Sequence, residues 1–143
     1  MSFGQKTQAQ ILLIKAGEDE MTLKVVEITD AIAGFHAQQA VEKLIKALLS
    51  VLGVPFEQTH NLERLCTAIE TIGERLPSTP LSPGELNDFA VVYRYDLLFQ
   101  IAAPDRAEFD RNRPPDPPTR RGPHRFPRKH ALIRSVTIVE SAC

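Results

Sequence analysis

The sequence predicts an all-α fold, an antiparallel up-and-down bundle of four or five helices with a disordered Pro/Arg-rich C-terminal tail. Apolar residues recur every three or four positions in four segments, which is the helical period. The connections between these segments are short, so consecutive helices become neighbours. Aliphatic residues supply most of the 43% apolar fraction and Trp is absent, a composition that favours helix packing over a β-sandwich.

The first two helices are predicted over residues 7–27 and 31–52. The first has a core-facing stripe with one carboxylate in its middle, formed by Leu12, Ala16, Asp19, Leu23 and Val26. Asp30 is the predicted N-cap of the second helix, and Gly53 is its predicted C-terminal stop.

The second helix has three kinds of surface when residues are placed 100° apart. Its core side contains Ala33, Ala37, Ala40, Val41, Leu44, Ala47, Leu48, Val51 and Leu52. The opposite stripe contains His36, Gln39, Lys43, Lys46 and Ser50. A mixed edge between them contains Phe35, Gln38, Glu42, Ile45 and Leu49. Because this edge is too apolar for a solvated face, it predicts a second packing partner, either another helix or another subunit.

Two further helices are predicted over residues 61–75 and 84–102. The segment 59–61 can cap the third helix, on which Cys66 is a predicted core residue. Ser82 can cap the fourth, with Pro in its first turn and Glu85 completing a capping box.

The bundle is predicted to occupy residues 1–102, and residues 103–143 form the tail. The tail holds 7 of the 11 prolines, which predicts disorder or polyproline-type extension. From about Arg111 its character resembles a GC-rich reading frame translated out of register, and a frameshift is the favoured interpretation. A natural basic arm that binds RNA or an acidic partner is the alternative.

Charge and cysteine content exclude several classes of function. Residues 1–102 have a formal charge of -5 and residues 103–143 one of +4, so the body lacks the dense basic face that broad nucleic-acid binding needs. Two cysteines cannot build a disulfide framework. The N-terminus does not resemble a signal peptide and no apolar run could span a bilayer. We therefore expect a cytoplasmic protein with no membrane association, no metal and no cofactor.

Three segments carry a resemblance to a known family. Residues 35–49, FHAQQAVEKLIKALL, resemble the second-helix signature of HEPN (higher eukaryotes and prokaryotes nucleotide-binding) domains. Residues 59–62, THNL, resemble the opening of that family's third helix, and residues 93–96, YRYD, resemble an element late in its fourth. The resemblance covers about residues 10–102.

The resemblance implies a helical bundle that forms a homodimer, or a toxin–antitoxin type pair with a small nucleotidyltransferase. It also implies a nucleotide or RNA as ligand, with prokaryotic stand-alone members as the nearest type. Catalytic members are metal-independent ribonucleases in which an Arg is followed four to six residues later by a His. The His can move the proton of a 2′-hydroxyl, and the Arg can stabilise charge on the phosphate.

This sequence departs from the ribonuclease pattern, because Arg94 is followed by no His at that distance. Arg125 and His130 match the spacing, but they lie in the tail. The sequence therefore favours a non-catalytic or degenerate subunit that binds a nucleotide or partner. The alternative is a ribonuclease toxin in which Arg94 acts with a His from elsewhere, such as His60.

The candidate binding residues are Gln38, Glu42, Lys43, Arg94, Tyr95 and Asp96. Each candidate also has a structural interpretation. Glu42 with Lys46 is an ordinary surface pair at i,i+4 spacing, and Arg94 could pair with Asp19 or Glu42. His60 precedes a helix, where a capping or loop-fixing role is the simpler interpretation.

Overall fold

The computed structural model describes residues 3–91 and 129–142, and all regular secondary structure within these residues is helical. Helix α1 is Phe3–Leu23, α2 is Asp30–Leu52 and α3 is Leu62–Thr71. Helix α4 is described over 83–91, and α5 is Lys129–Ala142. The predicted all-α fold is confirmed, and each predicted helix has its counterpart among α1 to α4.

The ends of α2 follow from its capping residues. Thr29, and not Asp30, is the N-cap, because its Oγ1 accepts a hydrogen bond from the Ile32 N–H at 3.3 Å. Asp30 is instead the first helical residue, where its negative carboxylate is stabilised by the positive end of the helix dipole. Gly53 ends the helix in the left-handed conformation with φ 69°, as the sequence predicted.

The boundaries of α1 and α3 differ from the predictions by a few residues, and the predicted end of α4 at residue 102 lies outside the described residues. Helix α1 ends at Leu23, and Val26, a predicted core residue, is exposed. Helix α3 stops before Gly73, whose φ is 83°. The capping box of α4 is confirmed, since the Glu85 carboxylate accepts from the Ser82 N–H at 2.8 Å while the Ser82 Oγ accepts from the Glu85 N–H at 3.3 Å.

Helix α2 lies at the centre of the bundle. It packs against α1, α3 and α5, and against α4 where Gly34 meets the ring of Phe89. The mixed edge of α2 is therefore covered within the chain, with Gln38, Glu42, Ile45 and Leu49 all buried. Of the two partners predicted for this edge, the structure supplies the helix, and the edge gives no reason to expect a second subunit there.

The prediction of a disordered tail is wrong for residues 129–142, which form α5. This helix buries Leu132, Ser135, Val136 and Val139. The Ser135 Oγ accepts a hydrogen bond from the Leu81 N–H at 3.3 Å, which joins α5 to the loop before α4. The short apolar patches of the sequence become one helical face here, which is why they form a helix despite the prolines before them. The rest of the tail lies outside the described residues.

Cys66 lies on α3 and packs against the core as a partly buried residue. Burial raises the pKa of its thiol to about 11, and the carboxylates of Glu70 and Glu63 act in the same direction. The thiol is thus a poor nucleophile at neutral pH, which agrees with the structural role that its position on the helix predicted.

Candidate functional site

A continuous polar network runs through the bundle between α1, α2 and the start of α3. It contains Asp19 from α1, His60 from the loop before α3, and six residues of α2, namely His36, Gln38, Gln39, Glu42, Lys43 and Lys46. No buried side-chain nitrogen or oxygen of the described residues lacks a hydrogen-bond partner. We call these eight residues the polar network.

Asp19 organises the end of the network next to α1. Its two carboxylate oxygens lie 2.8 Å from the His36 Nδ1 and 2.5 Å from the Lys43 Nζ. Antiparallel pairing of α1 with α2 brings these residues together, because they face each other across the helix interface. Asp19 is 8% exposed, so its charge must be balanced locally, and Lys43 supplies the opposite charge.

Glu42 organises the other end. Its Oε1 lies 2.7 Å from the Lys46 Nζ and 3.0 Å from the His60 Nδ1, and its Oε2 accepts from the Gln38 amide at 3.1 Å. Glu42 and Lys46 do have the predicted i,i+4 spacing, but the pair is buried and not a surface pair. The reason is that other helices cover this side of α2.

Gln38 and Gln39 connect the two ends. The Gln38 amide also donates to the His60 backbone carbonyl at 3.0 Å, which fixes the loop before α3. The Gln39 amide donates to the Gln38 Oε1 at 2.8 Å, and the Gln39 Oε1 accepts from the Lys43 Nζ at 3.2 Å. The network is thereby one chain of hydrogen bonds, from His36 to His60, in which each amide has a fixed orientation.

His60 is the network residue most exposed to solvent. Its side chain is 63% exposed although its Nδ1 faces the buried Glu42 carboxylate. The neighbouring Asn61 is the N-cap of α3, with its Oδ1 accepting from the Arg64 N–H at 3.2 Å. His60 therefore fixes the loop through its carbonyl and its Nδ1, while the other edge of the ring faces outward.

A cleft of about 350 Å³ lies between the 55–59 loop and α3, and Thr59, the residue before His60, belongs to its lining. Its lining includes Thr59, Phe56 and Arg64. Arg64 pairs with Glu57 at 3.0 Å, with 66% and 69% of the two side chains exposed. Such an exposed pair is worth little, so a ligand anion could replace Glu57 at Arg64.

The structure brings together four of the sequence-predicted site residues, Gln38, Glu42, Lys43 and His60, in one network. The other three, Arg94, Tyr95 and Asp96, lie outside the described residues, so the predicted pairing of Arg94 with Asp19 or Glu42 stays a prediction. Both carboxylates have other cationic partners, Lys43 and Lys46, within the described chain.

Sequence reasoning missed the roles of Asp19, His36 and Gln39 and the burial of Lys46, and it missed the cleft at Arg64. The signal for the first group was present, because a lone carboxylate on the core side of α1 needs a cation from a neighbouring helix. The cleft had no such signal, since it depends on how the 55–59 loop folds back on α3.

The groups described here do not form a metal centre: no cluster of three or more His, Cys, Asp or Glu side chains suited to a metal is found among residues 3–91 and 129–142. In the same residues, no helix is long and apolar enough to cross a bilayer.

A comparison with known protein families gives a match. A family model described as the HEPN domain matches residues 27–111, which include α2, α3, the described part of α4, and all the network residues except Asp19. No curated protein sequence and no solved structure matched the chain.

Proposed function

The chain belongs to the HEPN family, whose members are nucleotide-binding and ribonuclease-type domains, and we propose that it is a non-catalytic member that binds a nucleotide. We further propose that it acts as the helical subunit of a nucleotidyltransferase–HEPN pair of the toxin–antitoxin type. The pairing is proposed from the sequence resemblance. The absence of catalysis is proposed from the polar network.

The observation that carries this proposal is the internal charge balance of the network. Lys43 and Lys46 each bind a buried carboxylate, at 2.5 Å and 2.7 Å, so neither ammonium is available to stabilise a phosphate in a transition state. His36 is likewise held by Asp19. These side chains stabilise the bundle, and Arg94 has no following His at the spacing of the ribonuclease motif.

The nucleotide would occupy the cleft between the 55–59 loop and α3. Phe56 provides an apolar ring for stacking of a base, and Arg64 provides a guanidinium for a phosphate. His60 follows Thr59 of the lining, and a nucleotide that extends beyond the cleft would meet the outward edge of the His60 ring, whose Nδ1 faces Glu42. Binding without catalysis needs only these fixed contacts, and no proton transfer.

Calorimetric titration with AMP, ATP, GTP and a short single-stranded RNA tests this assignment. We expect binding of at least one nucleotide, weakened about tenfold or more by Arg64→Ala or His60→Ala, a loss of about 1.4 kcal/mol. His130→Ala is the matched control, since His130 is an exposed histidine on α5. No binding by any nucleotide, or equal loss in all three variants, would contradict the nucleotide site.

The nucleotidyltransferase pairing needs its own measurement. The protein is co-expressed with the nucleotidyltransferase encoded beside its gene, and their association is measured with purified components. A stable complex of the two purified proteins supports the pairing. Absence of such a neighbouring gene, or of association at tens of micromolar, overturns it without affecting the nucleotide assignment.

A second function, metal-independent ribonuclease activity, is favoured by one specific observation. His60 has an exposed ring whose Nδ1 is held by a buried carboxylate, an arrangement that orients an imidazole for proton transfer. Incubation of the protein with single-stranded RNA in EDTA decides between the functions. Cleavage that is lost in both Arg94→Ala and His60→Ala would establish the ribonuclease and reject the non-catalytic proposal.

A further inference from the structure

The two threonines of α3 that belong to the cleft lining already use their hydroxyl protons within the helix. The Thr67 Oγ1 donates to the Glu63 carbonyl at 2.9 Å, and the Thr71 Oγ1 donates to the Thr67 carbonyl at 2.8 Å. A hydroxyl carries one proton, and a carbonyl oxygen can only accept. Toward a ligand, both threonine side chains therefore act as hydrogen-bond acceptors.

The other end of the cleft offers hydrogen-bond donors. The Thr59 Oγ1 accepts from the Asn61 N–H at 3.1 Å, so it keeps its own proton for a ligand. Arg64 is held only by the exposed pair with Glu57, and a guanidinium donates and never accepts. Asn61 is the N-cap of α3 and Thr71 is its last residue. The donor end and the acceptor end are thus separated by about 10 Å along the helix, at about 1.5 Å per residue.

The spacing of Thr67 and Thr71 suits one ligand group that carries two protons. Residues four apart on a helix lie on one face with their Cβ atoms about 5–6 Å apart. A planar amino group points its two protons in different directions, and at the usual donor–acceptor distance it places its two acceptors about 5 Å from each other. Adenine and cytosine carry such an exocyclic amine, whereas guanine and uracil have a carbonyl oxygen at the corresponding position.

We infer that the cleft selects nucleotides whose base carries this exocyclic amine, adenine or cytosine, with Thr67 and Thr71 each accepting one of its protons. The inference rests on the proposed nucleotide site and names the ligand class of that site. The phosphate lies at the donor end, at Arg64 and Thr59, and the amine of the base lies at the acceptor end. A carbonyl at the position of the amine would face two hydroxyl oxygens whose protons are in use. Its binding would require a helix hydrogen bond to break.

Calorimetric titration of the full chain with AMP and IMP tests the inference, because hypoxanthine has a carbonyl where adenine has the amine. We expect AMP to bind at least about fivefold more tightly than IMP, which is the scale of one net hydrogen bond. CMP should be preferred to UMP for the same reason. IMP or UMP that binds as tightly as its amino counterpart overturns the inference. If Arg64→Ala still weakens binding in that case, the nucleotide site itself stands, whereas failure of all four nucleotides to bind rejects both proposals.

Removal of the hydroxyls tests which groups select the base. Thr67→Val and Thr71→Val keep the branched shape of the side chain and remove its acceptor. Each should weaken AMP binding about threefold and leave IMP binding nearly unchanged, and the double variant should show no preference. Thr67→Ser, which retains a hydroxyl, should retain the preference. Circular dichroism verifies that the variants keep the helicity of the wild type.

Thr137→Val is the matched control for these substitutions. The Thr137 Oγ1 donates to the Ile133 carbonyl at 3.0 Å, which is the same kind of bond on an exposed position of α5, and Thr137 is not part of the cleft lining. Thr137→Val should therefore leave both affinities unchanged. A preference for AMP over IMP that persists in the double variant overturns the inference, because other groups would then select the base.

Discussion

The Glu42 carboxylate lies within hydrogen-bond distance of three side chains, those of Gln38, Lys46 and His60. Of these three side chains, only His60 is exposed. Removing a charge from a buried pair leaves the partner ion without compensation in a medium that solvates it poorly. The stability of the bundle therefore depends on individual polar atoms of the network and not only on apolar burial. The same interactions hold the loop that presents His60, so stability and the proposed binding site share these residues.

Glu42→Gln is expected to lower the free energy of unfolding by about 3–5 kcal/mol, because the buried Lys46 ammonium loses its counter-charge. Urea denaturation followed by circular dichroism measures this change. Glu57→Gln is the matched control, because the Glu57–Arg64 pair is exposed and should contribute less than about 1 kcal/mol. Lys46→Met in the Glu42→Gln background should recover part of the loss. Equal effects of the two Glu substitutions would show that burial of the network is unimportant.

At the scale of helices, the close approach of α2 and α4 depends on one glycine. A Cβ at Gly34 would lie 2.4 Å from the Phe89 Cδ1, well inside van der Waals contact. Gly34 is thus required by packing, in contrast to Gly17 of α1, where an added Cβ would meet nothing within 4 Å. The contact sets how near α4 lies to the centre of the bundle.

Gly34→Ala is expected to destabilise the protein by about 1–3 kcal/mol, because the new methyl group forces the Phe89 ring or the α4 backbone to move. Thermal and urea unfolding measure the loss. Introducing Phe89→Leu into the Gly34→Ala chain should recover part of it by removing the ring carbons that clash. An Ala variant as stable as the wild type would mean that α4 adjusts its position at no cost.

Where α1 contacts α5, the carboxyl groups of Glu20 and Glu140 lie close together. Burial raises the pKa of Glu20, as does Glu140 of α5 by its charge and by a side-chain hydrogen bond, while Lys24 acts in the opposite direction. Because the pKa of Glu20 in the folded state lies above its unfolded value, the folded protein binds the proton more tightly. This contribution to stability is present below the unfolded pKa and is lost as pH rises through the folded pKa.

Glu20→Gln is expected to raise the melting temperature at neutral pH, because an uncharged amide replaces a partly buried carboxylate facing Glu140. Below about pH 4, where an unperturbed carboxyl group is largely protonated, the same substitution should have little effect. Thermal melts of both proteins across this range measure the difference. Glu18→Gln is the control, since Glu18 lies on the outer surface of α1. A gain that does not depend on pH would contradict the carboxyl–carboxyl contact.

At the scale of the whole molecule, helix α5 belongs to the same folded unit as the first helices. Helix α5 buries apolar side chains against α2 and contacts α1, and its Lys129 ammonium donates to the Val25 carbonyl. These contacts connect the end of the chain with its first helices. The core thus includes residues that the sequence assigned to the tail.

Leu132→Ala is expected to cost about 2–5 kcal/mol in the free energy of unfolding, because it opens a cavity at a fully buried position of α5. Thr137→Ala on the exposed side of the same helix is the control. Deleting residues 111–143 should be at least as damaging as Leu132→Ala. If neither the deletion nor Leu132→Ala changes stability, the segment is not a working part of the fold, as the frameshift interpretation requires.

The sequence alone predicted several helices and helix ends, because these depend on signals within a few residues of the chain. The period of apolar residues predicted four helices, and the residues at Gly53 and Ser82 predicted where two of them end or begin. These signals depend on backbone conformation and on hydrogen bonds within a few residues, so no knowledge of the tertiary fold is needed to interpret them.

Only the tertiary structure decided which helix faces are covered and which polar groups meet. The polar stripe of α2 lies opposite the predicted core side, yet Lys46 and Ser50 are buried because neighbouring helices enclose α2. Asp19 and Lys43 are 24 residues apart, and the three-dimensional path of the chain determines their contact. The same holds for α5, whose short apolar patches have little helical preference on their own and are stabilised by the groove that they fill.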